Sequence, residues 1–265
     1  MKLDDQSPVI LLGFQRSGTT ALAYALNEAF ANIGGIFTVN GKLLYYLNRW
    51  LTQEDLYYRH FRIDEILYSL KRKLPGGKGV EIWLNQVENE LRKAALAVGD
   101  GKHNDTTILG RSLVENSYSG FTRWGDKYNE YLHHIPQIDK FVPNARYILL
   151  YRNPFEIVNS VLEWDGDRPW RPTTEMANLE KWANWHTNVL EFFNGISSNR
   201  YIVINYNHLC LSEETERLSE FLELDLQPFL INIKSRRLSE NNHNFPSKIE
   251  DVWSQLNKLR FQNMN

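Results

Sequence analysis

The stretch VILLGFQRSGTTALAYAL, Val9–Leu26, constrains the fold more than any other part of this chain. Val9–Phe14 is a short apolar run of the kind that forms a strand buried on both faces. Thr20–Ala31 carries apolar residues at helical spacing. Between them Gly13 and Gly18 bound a tight turn, GFQRSG, with the GxxxxG spacing. Strand, glycine turn and helix in that order open a parallel α/β sheet. Such a turn gathers backbone N–H groups beside the positive end of a helix, which makes it a cradle for an anion. Ser17, Thr19 and Thr20 add hydroxyl donors to it. A nucleoside-triphosphate loop would carry a lysine where Thr19 stands; here Arg16 lies inside the turn instead.

Two further runs, Arg146–Tyr151 and Tyr201–Tyr206, read as buried parallel strands. Helical patterns fall at Glu54–Lys73, Val80–Val98, Asp126–Phe141, Phe155–Trp164, Glu175–Phe193 and Ser212–Leu222. In Val80–Val98 the residues Val80, Trp83, Leu84, Val87, Leu91, Ala94, Ala95 and Val98 share one face. Strands alternating with helices predict an α/β, P-loop-like, doubly wound parallel sheet flanked by helices. No repeat or low-complexity linker divides the chain. That predicts a single domain over residues 1–265, with a helical insertion at roughly 40–125 covering the site. In such sheets the ligand lies beyond the carboxyl ends of the strands. The first strand ends there in the Arg16 turn, and Arg146–Tyr151 ends in Arg152.

Composition narrows the classes. Hydrophobic residues make up 42% of 265, with 8 Trp, 13 Tyr and 13 Phe, enough to fill a core and exclude a disordered chain. Formal net charge is −2, so no global positive field points to nucleic acid or an anionic membrane, and an anion site must be built locally. The single cysteine, Cys210, excludes an intrachain disulfide, and no CxxC or HExxH pattern predicts a metal. Acidic residues precede the first apolar run, unlike a signal peptide, and no run reaches the roughly 18 apolar residues of a membrane span. A soluble, cytoplasmic protein is the expectation; its oligomeric state is left open.

A second turn completes the pattern. LLYRNPFEIVNS sets Arg152 at a strand end, Pro154 at a first helical position and Ser160 eight residues after the arginine. A guanidinium at the strand end and a hydroxyl about two turns along the helix can hold one phosphate from two sides. An NTPase would place an aspartate for Mg²⁺ near Arg152, so anion binding without a metal is expected.

The two turns together resemble the sulfotransferases that use 3′-phosphoadenosine 5′-phosphosulfate. GFQRSGTT resembles their 5′-phosphosulfate loop, in the RSGTT form of bacterial and tyrosylprotein members, and YRNPFEIVNS their 3′-phosphate motif. RWGDKYNEYLHHIPQIDKFVPNARYILLYRNP is similar to the segment leading into that motif, and YIVINYNHLCLSEETERLSEFLEL to the later strand and helix. The resemblance covers residues 8–30 and 124–225. It implies transfer of a sulfuryl group to a hydroxyl or amine, with release of adenosine 3′,5′-bisphosphate. Gln15, Arg16, Ser17, Gly18, Thr19 and Thr20 would hold the 5′-phosphosulfate, Arg152 and Ser160 the 3′-phosphate, and Tyr206 would lie near the nucleotide. Lys127 and Arg16 would supply the charge at the transferred group, with no metal.

Two elements stay open. Relatives take the acceptor's proton with a Glu a little beyond the first helix or a His shortly after the lysine. Here NIGGIFTVNGKLLYY holds neither, and Asn129 stands two residues past Lys127. His60, Glu81, His103, Glu115, His133 and His134 are the candidates. The acceptor is expected to be a small molecule. EWDGDRPW sets Glu163, Asp165 and Asp167 among Trp164 and Trp170, which would suit a cationic natural product. A P-loop kinase or NTPase with a degenerate lysine, and a non-catalytic nucleotide-binding module, are the competing readings.

Overall fold

The computed structural model describes residues 7–163, 172–234 and 245–262. Among them, five strands form one sheet in the order β2-β3-β1-β4-β5, every pairing parallel. The strands are β1 (Val9–Leu12), β2 (Ile36–Val39), β3 (Trp124–Lys127), β4 (Arg146–Tyr151) and β5 (Tyr201–Asn205), and each is buried throughout. Burial on both faces is why β1, β4 and β5 read as unbroken apolar runs.

The chain runs from β1 through α1 (Thr19–Asn32) to the edge strand β2. It returns to β3 by way of α2 (Leu43–Trp50), α3 (Gln53–Tyr57), α4 (Ile63–Arg72), α5 (Val80–Gly99) and α6 (Thr106–Ser117). A 3-10 turn (Asn129–His133) and α7 (Ile135–Phe141) lead to β4, and α8 (Pro154–Leu162) and α9 (Glu175–Asn194) to β5. Among the described residues four helices follow: α10 (Tyr206–Cys210), α11 (Thr215–Leu222), α12 (Gln227–Leu230) and α13 (Ser247–Gln262). Leu22, Leu26 and Phe30 of α1, with Leu218 and Leu222 of α11, cover the sheet face shown by Val9, Leu11, Ile148 and Ile204. The opposite face, with Ile10, Leu12, Tyr147 and Leu149, is covered by helices α2 to α9 and α13. This is the doubly wound arrangement the alternation predicts. Among the described residues no helix is long and apolar enough to cross a membrane.

Several local expectations are corrected. Asp126–Phe141 is not one helix: it starts at the end of strand β3, passes through the 3-10 turn and becomes helical again at Ile135. Strand β3 reads WGDK, whose Asp126 and Lys127 break the apolar pattern by which a buried strand is recognised. Its burial is tolerable because Asp126 accepts from Thr38 Oγ1 (2.7 Å), the Gly41 N–H (2.8 Å), the Lys127 N–H (2.7 Å) and the Tyr131 hydroxyl (2.5 Å). Glu54–Lys73 is two helices, α3 and α4, parted near Arg59, whose φ of 56° no helix accepts. The Val80–Val98 stripe forms as expected, with Trp83, Val87, Leu91 and Val98 buried, whereas Leu84 and Ala95 sit at its half-buried margin. Strand β2 and helix α13 carried no expectation, and α2 and α6 fall within the helical region expected at roughly 40–125. The region at roughly 40–125 is the β2–β3 crossover; its helices cover a face of the sheet, and its start, Asn40–Lys42, lies by the end of β3.

Candidate functional site

Chain direction reverses about β1: the first crossover leads to β2 on one side, and β4 lies on the other. A crevice opens at such a switch point, beyond the carboxyl ends of the strands. Here the turns after β1, β3 and β4 meet.

The turn after β1 is shaped by its two glycines. A Cβ on Gly13 would lie 2.7 Å from the Leu150 carbonyl oxygen. Gly18 caps α1 with φ 88°, and a Cβ there would lie 2.1 Å from the Tyr206 ring. Only glycine fits either place without displacement. No side chain caps the N-terminus of α1, so its backbone donors face the crevice unclaimed by a side chain. Ser17 Oγ and both polar atoms of the Gln15 side chain are buried without a hydrogen-bond partner among the described residues. Such atoms are rare in folded proteins, and three in one turn fit a bound polar ligand.

Arg16 is held at φ 69°, a left-handed conformation uncommon for a side-chain-bearing residue and frequent at binding sites. Its Nε donates to Ser160 Oγ at 2.9 Å. Arg152 Nη1 donates to the Arg16 carbonyl at 3.2 Å, and its guanidinium carbon lies 4.8 Å from the Tyr206 ring centroid. Arg152 is oriented from behind by Glu156, which accepts its Nε at 2.6 Å and also accepts from Asn207 Nδ2 at 3.2 Å. The two turns are thus stitched together, and Arg16, Arg152, Ser160 and Tyr206 form one cluster. Burial pushes the Tyr206 hydroxyl up to about 12, so it is neutral at ordinary pH.

Lys127 ends β3 in register with Leu11 and Val39. It comes from a strand, not from a helix as the sequence reading had it. It is 2% exposed, and burial lowers its pKa to about 8, against the pull of Glu130 and Asp126. Its ammonium donates to Asn40 Oδ1 and Asn129 Oδ1, each at 3.0 Å, and to Thr20 Oγ1 at 3.4 Å. Asn129 in turn donates to the Gly13 carbonyl at 2.7 Å and to Thr19 Oγ1 at 3.4 Å. The amide of Asn129 therefore bridges the lysine and the anion loop. Thr19 is buried against it, and Thr20 is the exposed hydroxyl that meets Lys127. Arg16, Ser17, Gly18, Thr19, Thr20 and Lys127 are all brought to one helix N-terminus.

The six candidate bases are dispersed. His60 joins α3 to α4, His103 lies between α5 and α6, and Glu81 and Glu115 are exposed on α5 and α6. His133 and His134 end the 3-10 turn, with ring centroids 5.0 Å apart. Sequence reasoning missed Asn40, Asp126 and Glu130; the signal for Glu130 was its place three residues past the lysine. Of the acceptor residues expected around EWDGDRPW, Glu163 is exposed after α8, while Trp164, Asp165, Asp167 and Trp170 lie outside the described residues. Among the described residues no three His, Cys, Asp or Glu side chains are grouped as around a metal ion.

Comparison with known proteins follows the same line. A family model described as the sulfotransferase family matches residues 8–228. A sulfotransferase domain from the curacin biosynthetic pathway is 14% identical with a TM-score of 0.56, over 95% of this chain and 98% of its own. A sulfotransferase domain from the Synechococcus PCC 7002 olefin synthase is 16% identical with a TM-score of 0.56, over 100% of this chain and 98% of its own. At these identities the two structures speak for the fold. No curated protein matches the chain in sequence. The family match spans the turns after β1 and β4 and the lysine strand between them, and on it this chain is a member of the sulfotransferase family.

Proposed function

We propose that the chain moves a sulfuryl group from 3′-phosphoadenosine 5′-phosphosulfate to a hydroxyl or amine of a small molecule in the cytoplasm, by in-line displacement without a metal ion. The observation that carries this reading is the convergence of Lys127, Arg16, Arg152 and Ser160 on an uncapped helix N-terminus whose Ser17 and Gln15 are buried and unpaired. The donor brings a sulfuryl group on an anionic leaving group. The protein's part is to bind, orient and neutralise.

In this reading the α1 N-terminus, Ser17 and Thr20 hold the 5′-phosphosulfate. Arg152, already oriented by Glu156, and Ser160 hold the 3′-phosphate, with Arg16 reaching both groups. Tyr206 walls the nucleotide beside Gly18. Lys127 places its charge at the oxygen that leaves. A triphosphate loop uses a lysine after its second glycine and Mg²⁺ for that purpose; here Thr19 stands in that position and the cation comes from β3. The two structural relatives are domains of a biosynthetic pathway and of an olefin synthase, which supports a natural-product acceptor here.

Incubation with the radiolabelled donor and a panel of small alcohols, phenols and amines tests the proposal. It predicts labelled product and release of bisphosphate, undiminished by a chelator. Turnover of ATP that requires Mg²⁺, with no sulfuryl transfer, would refute it.

A further inference from the structure

The turn after Lys127 joins the anion loop to a second cleft. Asn129–His133 is a 3-10 turn, and in such a helix residues three apart lie one above the other. Glu130 and His133 therefore project on the same side. Asn129 faces inward, tying Lys127 to Gly13. The His133 ring stacks on Trp185 of α9, with centroids 6.0 Å apart. It lines a cleft of about 510 Å³ with Glu180, Lys181, Trp185, Asn188 and Lys248. That cleft adjoins the anion loop. Trp185 meets Phe14, within the glycine turn, edge-on at 5.3 Å, and the Lys181 ammonium lies 4.7 Å from the Trp185 centroid.

Glu130 sits at the junction. Its carboxylate acts electrostatically on Lys127 from β3, on Lys42 from the approach to α2 and on Lys181 from α9. It acts also on the Tyr128 and Tyr46 hydroxyls. Glu130 follows Asn129, which holds Lys127, and shares the side of the turn on which His133 meets the cleft, so the turn itself sets it between the lysine and the cleft.

We propose that Glu130 is the proton acceptor of the transfer, and that an aromatic alcohol seated against Trp185 and His133 is the class of molecule it serves. This rests on the sulfotransferase reading above. As the acceptor oxygen bonds to sulfur, its O–H bond breaks and the proton passes to the Glu130 carboxylate. The bond from sulfur to the bridging oxygen breaks, and the bisphosphate departs with that electron pair. Flat rings on the cleft wall favour a flat acceptor.

Two probe acceptors separate this role from a structural one: phenol, which must lose its proton, and 4-nitrophenol, which is already ionised at about pH 8 and needs no base. Glu130→Gln is predicted to lower sulfation of phenol by about 10²–10⁴-fold and that of 4-nitrophenol by less than about threefold. Bisphosphate affinity, measured by calorimetry, is retained or rises, because a negative charge beside the anion has gone. Equal losses with both phenols, no loss with phenol, or a selective loss in His133→Gln instead would overturn the assignment. So would a wild-type protein that binds bisphosphate and sulfates neither phenol. A wild-type protein that does not bind bisphosphate overturns the sulfotransferase reading itself; intact binding with equal losses overturns the role of Glu130 alone.

Discussion

Lys127 carries its charge in an unfavourable place. It is buried, and its three hydrogen-bond acceptors are two amide oxygens and a hydroxyl, none of them charged. Burial lowers its pKa to about 8, so the protonated form strains the folded state at neutral pH. A lysine whose folded pKa lies below its unfolded value costs stability at low pH, and that stability returns as pH rises between about 8 and 10.5. An anion in the cradle favours the charged form and reverses the shift. Bisphosphate binding is therefore predicted to take up a proton near pH 8 and to weaken as pH climbs through that value. Calorimetry in buffers of different ionisation heat reads the proton directly. Lys127→Ala should remove that uptake and lower kcat by about 10²–10³-fold, the usual effect of deleting one donor to a developing charge. Turnover near the wild-type rate would exclude the role. The lysine was legible in the sequence through family resemblance, but its setting was not. Asn129 read as the absence of a familiar base, whereas it is the amide that fixes the lysine to the loop. Glu130 drew no reading at all, because nothing in the chain shows that the turn holding it folds against Trp185 of α9.

At the scale of elements, the site depends on three strand ends reaching one level. β1 and β4 were legible because parallel strands buried on both faces are apolar at every position. β3 was not, because its Asp126 and Lys127 are polar and their burial depends on partners from β2 and the 3-10 turn, distant in sequence. The α8 turn shows the same dependence. Arg152 is partly buried and Glu156 buried, and the two are paired at 2.6 Å, four residues apart. Arg152→Ala removes the guanidinium partner of the buried Glu156, which keeps its bond from Asn207, and the change is predicted to cost about 1–3 kcal/mol of stability. Adding Glu156→Gln should restore most of that stability without restoring bisphosphate affinity. Denaturant unfolding and calorimetry on the two variants separate the effects. Recovery of affinity in the double variant would show that Arg152 orders the turn and does not touch the ligand.

At the scale of the molecule, the fold was legible in outline. Alternating strands and helices forced a doubly wound sheet, and the glycine turn after β1 located the crevice. The helical patterns on either side of residue 100 read as a cover over the site, and the helices they form pack as a layer on one face of the sheet. Periodicity shows that a helix has an apolar side; it does not show which surface receives it. What the whole architecture achieves is to bring the turns after β1 and β4 together, so that the glycine loop shares a single crevice with Arg152 and Ser160. Such a crevice should discriminate by the number of phosphates on an adenosine. The most direct test is a calorimetric titration of adenosine 3′,5′-bisphosphate against adenosine 5′-monophosphate, which lacks the 3′-phosphate. Two charge-assisted bonds at about 1.5–3 kcal/mol each predict at least a hundredfold weaker binding of the monophosphate. Equal affinity for the two would contradict the account at its centre.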